Sequence, residues 1–187
     1  EDGHVQVRVQ LLGQGHRHLP DGFLLADDAL LEGGGEVVLH DHFYPPTFSW
    51  SPDGRSIYFT SDRSGGPQVY RVPSAVGTPE RVTFEGSYNA RPRISPDGEK
   101  LAMVHLVNGN YRIAVMDLDR KDVLVLSAGR QDESPSFAPN SDTLIYATRE
   151  TRNGVLETVT ADGLVRQTLA PGAGDVREPV WSPFPRY

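Results

Sequence analysis

Short stretches that alternate between apolar and polar residues recur through residues 45–187, and they predict β-strands. Three of them, Ser56–Thr60, Lys100–Val104 and Thr143–Ala147, are rich in β-branched and aromatic residues. Period-two alternation with this composition is typical of a half-buried strand. Each is followed by a polar loop, a second predicted strand, a turn and a third. The predicted second strands are Gln68–Val72, Tyr111–Met116 and Leu156–Thr160. The predicted third strands are Glu80–Phe84, Asp122–Leu126 and Val165–Leu169.

The same turn sequence precedes each of these groups. An aromatic residue or Ile is followed by a small residue and a proline, as in W-S-P-D-G, I-S-P-D-G, F-A-P-N-S and W-S-P-F. The prolines at 52, 96, 139 and 183 stand 44, 43 and 44 residues apart. Asp53, Asp97 and Asn140 follow the first three prolines, and we expect them to cap the turns while Gly54 and Gly98 adopt positive φ.

Counting the strand before each turn, the period contains four strands. Four antiparallel strands per unit of about 40–45 residues correspond to one blade of a β-propeller. We therefore predict an all-β fold with three such blades and a closing strand at Glu178–Phe184, a ring that is partial or atypically closed. Trp50, Phe137 and Trp181 are expected in the core between blades.

Several of these segments resemble the TolB family, whose members are periplasmic components of the bacterial Tol-Pal system. The resemblance is strongest in Trp50–Val72, Phe84–Asn89, Asp132–Asn140 and the ending P-V-W-S-P, and it extends over about residues 45–187. It implies a domain of TolB-like propeller repeats over residues 41–187. Family members carry an N-terminal α/β domain and six blades, and this sequence has no match to the α/β domain or to the first blades. The turn motif alone also occurs in propellers of prolyl-oligopeptidase-type peptidases.

Residues 1–40 do not match that family and form an atypical segment with one or two candidate strands and a glycine-rich linker. One hypothesis is a truncated or reading-frame-altered product that regains the family sequence near Pro45. Another is that Val5–Val9 pairs with the C-terminal strand and closes a four-bladed ring.

Composition and charge narrow the function. The 19 glycines and 15 prolines argue against a helix bundle. A net charge of -7 disfavours nucleic acid as a partner. No apolar run approaches the roughly 20 residues of a membrane span, so we expect neither membrane insertion nor an uncleaved signal peptide. The chain begins with Glu1, as a mature form or an excised fragment would.

No pattern predicts catalysis, a metal or a cofactor. The G-x-S-x-G elbow of hydrolases is absent, and the repeated serines 51, 95 and 182 lie in turns. His16–His18 and His40–His42 have the spacing of a partial metal site but lack a third ligand. The carboxylates of Asp117–Asp122 are interpreted as a charged hairpin turn because the calcium-loop pattern is missing.

The remaining candidate is the loop before each innermost strand, which carries different polar and aromatic residues in every repeat. Propellers gather these loops around the mouth of the central channel, and loops on rigid scaffolds concentrate binding residues. Tyr and Arg are favoured anchors in protein recognition. The loops are Pro46–Thr47, Tyr88–Arg91, Asp132–Ser134 and Arg177–Glu178. Within them, the resemblance to the family implies that the binding residues are Tyr88, Asn89, Arg91, Asp132, Glu133, Arg177 and Glu178.

The family resemblance implies a use for this face, which is binding of the peptidoglycan-associated lipoprotein Pal of the outer membrane. It also implies a periplasmic, non-enzymatic protein that serves outer-membrane integrity, bacteriocin import, protein transport and cell division. Residues 1–40 have no match to the family's TolA-binding segment, so binding of TolA is not expected. The alternatives are the propeller cap of a prolyl-oligopeptidase-type peptidase and a truncated, non-functional fragment.

Overall fold

The computed structural model describes residues 47–75, 77–149, 153–169 and 175–182, and within these ranges the chain forms β-strands and no helix. Consequently, no helix there is long and apolar enough to cross a membrane. The strands are β1 (Phe48–Trp50), β2 (Ser56–Ser61), β3 (Gln68–Pro73), β4 (Glu80–Arg81), β5 (Asn89–Ile94), β6 (Lys100–Val107), β7 (Asn110–Asp117), β8 (Val123–Val125), β9 (Asp132–Phe137), β10 (Thr143–Thr148), β11 (Val155–Thr160) and β12 (Arg166–Thr168).

These strands form three antiparallel sheets of four, each made of strands consecutive in sequence. Sheet 1 contains β1–β4, sheet 2 contains β5–β8 and sheet 3 contains β9–β12. The sheets stack in chain order, with β5 packed on sheet 1 and β9 packed on sheet 2. The prediction of an all-β fold built from four-stranded antiparallel blades is therefore confirmed. In the described part of the chain, the three sheets do not close into a ring.

The repeated turns hold the first hairpin of each sheet. Asp53 Oδ1 accepts a 3.0 Å hydrogen bond from the Arg55 amide, and Asp97 Oδ1 accepts an equal one from the Glu99 amide. Asn140 does the same for Asp142 at 3.1 Å. Gly54 and Gly98 have φ of 69° and 80°. The predicted turn-capping role is confirmed, because these side chains accept hydrogen bonds from their own turns.

The core lies between the sheets, and the middle sheet is buried on both faces. Leu101 and Met103 pack against sheet 1 in one cluster, whereas Ala102 and Val104 pack against sheet 3 in another. Adjacent strand residues point to opposite faces, so a strand that is covered on both sides is apolar almost throughout. This explains why β6 has the nearly continuous apolar sequence LAMV where a one-sided strand would alternate.

The predicted strand at Glu178–Phe184 is wrong over its described part, because residues 178–182 form no β-ladder. A strand needs a neighbouring strand, and no described sheet lies beyond sheet 3 to provide one. Trp181 is accordingly 36% exposed, against the expectation of a core position, whereas Phe137 is buried. The outer strands are also shorter than predicted, since β4 ends at Arg81 and β8 at Val125. The hypotheses about residues 1–40 lie outside the described residues.

Candidate protein-binding face

The predicted site residues come together at one end of the sheets. Because the strands are antiparallel, the starts of β5 and β9 lie at the same end as the β6–β7 and β10–β11 connections. The segment 175–182 joins this end through a 3.4 Å hydrogen bond from the Val176 amide to the Gly154 carbonyl. We call this end the loop face. It consists of Tyr88, Arg91, Tyr111, Gln131, Glu133, Arg149, Arg177 and Glu178.

An unusual backbone conformation recurs at one position of the repeat. Arg91, Ser134 and Glu178 have φ of 56°, 56° and 50°, and each directly precedes a proline. Non-glycine residues rarely adopt positive φ, and a following proline normally favours an extended conformation. In β5 and β9 the ladder shifts register next to this residue. A bulge of this kind re-aims a side chain, and here it directs polar side chains to the loop face.

Arg91 connects three successive repeats. Its guanidinium Nη1 donates a 2.8 Å hydrogen bond to Ser134 Oγ. The same nitrogen lies 3.9 Å from a carboxylate oxygen of Glu133 and 3.9 Å from one of Glu178. Next to it, partial burial and the charge of Arg91 lower the pKa of Arg93 to about 10, so Arg93 keeps its charge at neutral pH. On the loop face, the Arg91 guanidinium therefore lies next to two carboxylates.

Two of the predicted residues lie beneath this surface. Asn89 is fully buried, and its amide nitrogen donates to Gln68 Oε1 at 2.9 Å and to the Glu85 carbonyl at 2.8 Å. Its Oδ1 then accepts from Nδ1 of His105 at 2.7 Å. Because every polar atom of this side chain is engaged, Asn89 supports the loop that carries Tyr88 rather than facing solvent.

Asp132 occupies the matching position in sheet 3 and is also fully buried. Its carboxylate accepts hydrogen bonds from the Ser127 hydroxyl, from the Gly129 amide at 3.0 Å and from Thr148 Oγ1 at 2.6 Å. A buried carboxylate with several donors is a structural anchor, since leaving such a charge unpaired would be costly. Asp132 thus fixes the loop that presents Glu133.

A groove of about 280 Å³ opens between sheets 2 and 3 on the loop face. Tyr88 and Tyr111 form one wall, with ring centroids 5.0 Å apart in an edge-to-face arrangement. Burial raises the pKa of Tyr88, so its hydroxyl stays protonated at neutral pH. The residues that line the groove are Tyr88, Arg91, Val104, Tyr111, Gln131, Asp132, Glu133, Arg149 and Arg177.

Arg177 stands at the edge of this groove. Its Nη2 and Nε lie 2.8 and 3.0 Å from Asp175 Oδ2. Asp175 Oδ1 in turn accepts from the Gly154 amide at 2.5 Å, which ties the segment 175–182 to sheet 3. Arg149 approaches the same carboxylate at 3.9 Å. Both arginines therefore converge on Asp175 from different loops.

Three residues of this groove, Tyr111, Gln131 and Arg149, are not among those predicted from the sequence. Tyr111 and Arg149 flank the connections between the second and third strands of their sheets, whereas the predicted residues all come from the loops before the innermost strands. The predicted strand order could have indicated Tyr111 and Arg149, because antiparallel strands place both kinds of connection at the same end of a blade. Gln131 directly precedes β9 and forms a parallel bridge with Tyr111.

Other sequence candidates lie elsewhere. Asp117 accepts hydrogen bonds from the Asp119 and Arg120 amides at 3.0 and 2.8 Å, so the Asp117–Asp122 carboxylates belong to a hairpin turn at the opposite end. Among the residues that the structure describes, no group of three or more His, Asp or Glu side chains is arranged to hold a metal ion. The histidine pairs at 16–18 and 40–42 fall outside the described ranges.

Stacked four-stranded sheets with one polar, variable loop face define a repeat protein of the β-propeller class. The same hydrogen bond recurs between neighbouring repeats, from the Ile94 amide to Ser49 Oγ at 3.1 Å and from the Trp181 amide to Ser136 Oγ at 3.3 Å. Donor and acceptor are 45 residues apart in both cases. The segment 175–182 therefore follows sheet 3 as β5 follows sheet 1.

Comparison with known proteins defines the family. The family described as PD40, the TolB beta propeller domain, matches residues 45–185, and the chain belongs to it. The Tol-Pal system protein TolB of Xanthomonas campestris pv. campestris (strain B100) is 48% identical over 116 residues, which are 61% of this chain. The crystal structure of TolB from Acinetobacter baumannii superposes with a TM-score of 0.72 and 43% identity over 78% of this chain.

A third similarity concerns the fold alone. The structure named 'putative TolB from Agrobacterium tumefaciens' has a TM-score of 0.59 and is 23% identical in sequence. The match covers 72% of this chain and 52% of that chain. The present chain spans only part of these proteins. It covers 26% of the Xanthomonas protein and 37% of the Acinetobacter chain.

Proposed function

We propose that this chain is a non-catalytic protein-binding scaffold of the bacterial envelope that binds a Pal-like outer-membrane lipoprotein through the loop face. Its place of action would be the periplasm, and its role would be to maintain outer-membrane integrity. Family membership supports this proposal, since the relatives are named as proteins of the Tol-Pal system. TolA binding is not part of the proposal.

One structural observation carries the choice of face. Exposed side chains from distant sequence positions converge there, and they combine aromatic, cationic and anionic groups. The glutamates at 133 and 178 and the arginine at 177 are partly or largely accessible, with side-chain exposures of 38%, 67% and 49%. Protein interfaces are enriched in Tyr and Arg anchors, and this face presents both. The opposite end is dominated by turns whose side chains cap their own backbone.

A binding measurement tests the proposal. The soluble domain of Pal from Xanthomonas campestris is titrated into the chain by isothermal titration calorimetry, in parallel with the variants Glu133→Ala and Arg177→Ala. We expect each variant to bind roughly five- to tenfold more weakly, the loss typical of a true anchor.

Matched controls are Glu99→Ala and Arg120→Ala, which remove the same charges at the opposite end and should leave the affinity unchanged. Absence of binding by the unmodified chain would contradict the proposed partner. Equal losses at both ends would contradict the choice of face.

A further inference from the structure

Two arginines in the groove between sheets 2 and 3 have few hydrogen-bond acceptors within the described part of the chain. Arg149 has one charged neighbour there, Asp175, at 3.9 Å, which is too long for a hydrogen bond. Arg91 uses one nitrogen for Ser134, and its two carboxylate neighbours also lie at 3.9 Å. A guanidinium group carries five N–H donors, so with respect to the residues that the structure describes, both groups retain unused donors at the groove.

Because the two arginine side chains are partly buried, their unused donors should favour a ligand that supplies hydrogen-bond acceptors. The side chains of Arg91 and Arg149 are only 28% and 34% exposed. Polar groups that leave water without a partner are destabilising, so a ligand that supplies acceptors here would gain more than at an open surface. The planar guanidinium fork matches a carboxylate with two parallel hydrogen bonds.

The charge of the groove points to the same chemistry. Three arginines and two acidic residues line it, although the whole chain has a net charge of -7. The oxygens of Asp132 are already occupied by Ser127, Gly129 and Thr148. Glu133 is therefore the one lining carboxylate that still faces the arginines at close range, 3.9 Å from Arg91. Within the lining, arginines therefore outnumber carboxylates, whereas Asp175 and Glu178 lie at its edge, 3.9 Å from Arg149 and Arg91 respectively.

The aromatic wall limits what can enter. The edge-to-face pair of Tyr88 and Tyr111 offers ring surface against which the methylene groups of a side chain can pack. A volume of about 280 Å³ accommodates one or two side chains and not a folded domain. A single acidic side chain satisfies both properties, because its methylenes face the rings while its carboxylate reaches the guanidinium groups.

We infer that this groove is the receptor for one Asp or Glu side chain presented by a loop of the partner protein, held by Arg91 and Arg149 against the Tyr88–Tyr111 wall. The inference rests on the proposed function, since it names the chemistry by which the loop face recognises a Pal-like protein. Arg149 is the informative residue, because its side chain makes no hydrogen bond within the described residues and its loss should leave the fold intact.

The test uses the soluble Pal domain of Xanthomonas campestris as the probe. Its affinity is measured for the unmodified chain, for Arg149→Gln and Arg91→Gln, and for the control Arg120→Gln at the opposite end. We expect roughly tenfold weaker binding for the two groove variants and less than a twofold change for the control. Circular dichroism and the thermal midpoint establish that Arg149→Gln is folded.

The acidic residue that enters the groove is then identified by mutating the Pal domain. Each exposed Asp and Glu of the Pal domain is changed to its amide and measured against both the unmodified chain and Arg149→Gln. We expect one amide variant to weaken binding to the unmodified chain and to have little further effect on Arg149→Gln, which is the signature of a direct pair. Purely additive losses for every acidic residue would overturn the inference.

Failure of the inference is distinguishable from failure of the proposed function. If the unmodified chain does not bind Pal, the proposed function fails and the inference falls with it. If the unmodified chain binds and folded Arg149→Gln and Arg91→Gln bind equally well, only the inference is overturned. Competition by sodium acetate without coupling to any acidic residue of Pal would likewise overturn it, because the groove would then accept free carboxylates alone.

Discussion

The Arg91 guanidinium donates a 2.8 Å hydrogen bond to the hydroxyl of Ser134, which occupies the same position one repeat later in the chain. Both residues have a φ of 56°, and both precede a proline. The bond thus links two matching bulges in neighbouring sheets. The pair therefore fixes the spacing between two neighbouring loops of the loop face.

Loss of this bond should measurably weaken the junction between sheets 2 and 3. We expect Ser134→Ala to lower the free energy of unfolding by about 1 kcal/mol, the usual net value of one hydrogen bond. In a double-mutant cycle with Arg91→Gln, the two effects should be non-additive by a similar amount. Urea denaturation of the four proteins provides the values, and strictly additive effects would show that the bond contributes nothing.

Gly86 is required by both its conformation and its surroundings. Its φ is +76°, and a Cβ at this position would lie 2.5 Å from Cε1 of His105. We expect Gly86→Ala to lower the free energy of unfolding by about 3 kcal/mol, through backbone strain and displacement of a buried ring. Gly109→Ala is the matched control, because Gly109 has a φ of +78° and open space around it.

We expect Gly109→Ala to lower the free energy of unfolding by about 1–2 kcal/mol, which is the effect of the backbone conformation alone. The difference between the two variants in chemical denaturation therefore measures the steric contact with His105. Equal destabilisation would show that the ring moves away without cost.

Asn89 should behave as a structural residue. We expect Asn89→Ala to destabilise the fold by about 2–3 kcal/mol, since buried groups of Gln68 and His105 and the Glu85 carbonyl lose their partner. Asn110→Ala is the control, because the Asn110 amide donates only to the Asn108 carbonyl at an exposed position. Its effect should stay within about 0.5 kcal/mol. Thermal unfolding of both variants tests this, and similar midpoints would contradict the assignment.

The stability of the protein should decrease between neutral and mildly acidic pH. Burial lowers the pKa of His105 below its ordinary value of 6.5, and the nearby carboxylate of Glu85 opposes this only partly. The unfolded chain then binds a proton more readily than the folded chain as the pH falls through 6.5. The stabilising effect of a neutral His105 is thus complete above that pH and is lost below it.

Urea denaturation at pH 7.5 and pH 5.5 measures this loss. The variant His105→Gln lacks the titrating group and should show a smaller decrease between the two pH values. Carboxylates whose pKa is lowered, such as those of Asp53 and Asp162, stay ionised at both pH values and do not contribute in this window. An identical decrease in the variant would assign the pH dependence to other histidines.

Much of the fold follows from local sequence. The strands β2, β6 and β10 begin at the predicted residues, because the turn before each strand and its apolar sequence are local signals. The turn prolines and the Asp or Asn that follows them close the hairpins through contacts only two residues apart. The predicted closing strand failed for the opposite reason, since a strand depends on a neighbour that its own sequence cannot supply.

The candidate site was predicted less completely. The seven proposed residues do lie at one end, as the repeat position implied, and their role in binding stays a prediction. The sequence pattern could not separate Asn89 and Asp132, which are buried, from their neighbours Tyr88 and Glu133, which contribute to the surface. Burial at these positions depends on the side chains of His105 and Thr148, which come from the next strand.

The repeat length, the four-strand unit and the turn chemistry follow from the local sequence, because they depend on backbone preferences and on contacts within a few residues. Which side chains share the groove depends on the packing of the sheets, since Arg91, Arg149 and Arg177 come from different repeats or different strands. Their approach depends on how each sheet packs on the next, and that packing is set by side chains buried between the sheets, such as Val104, Ile113 and Tyr146.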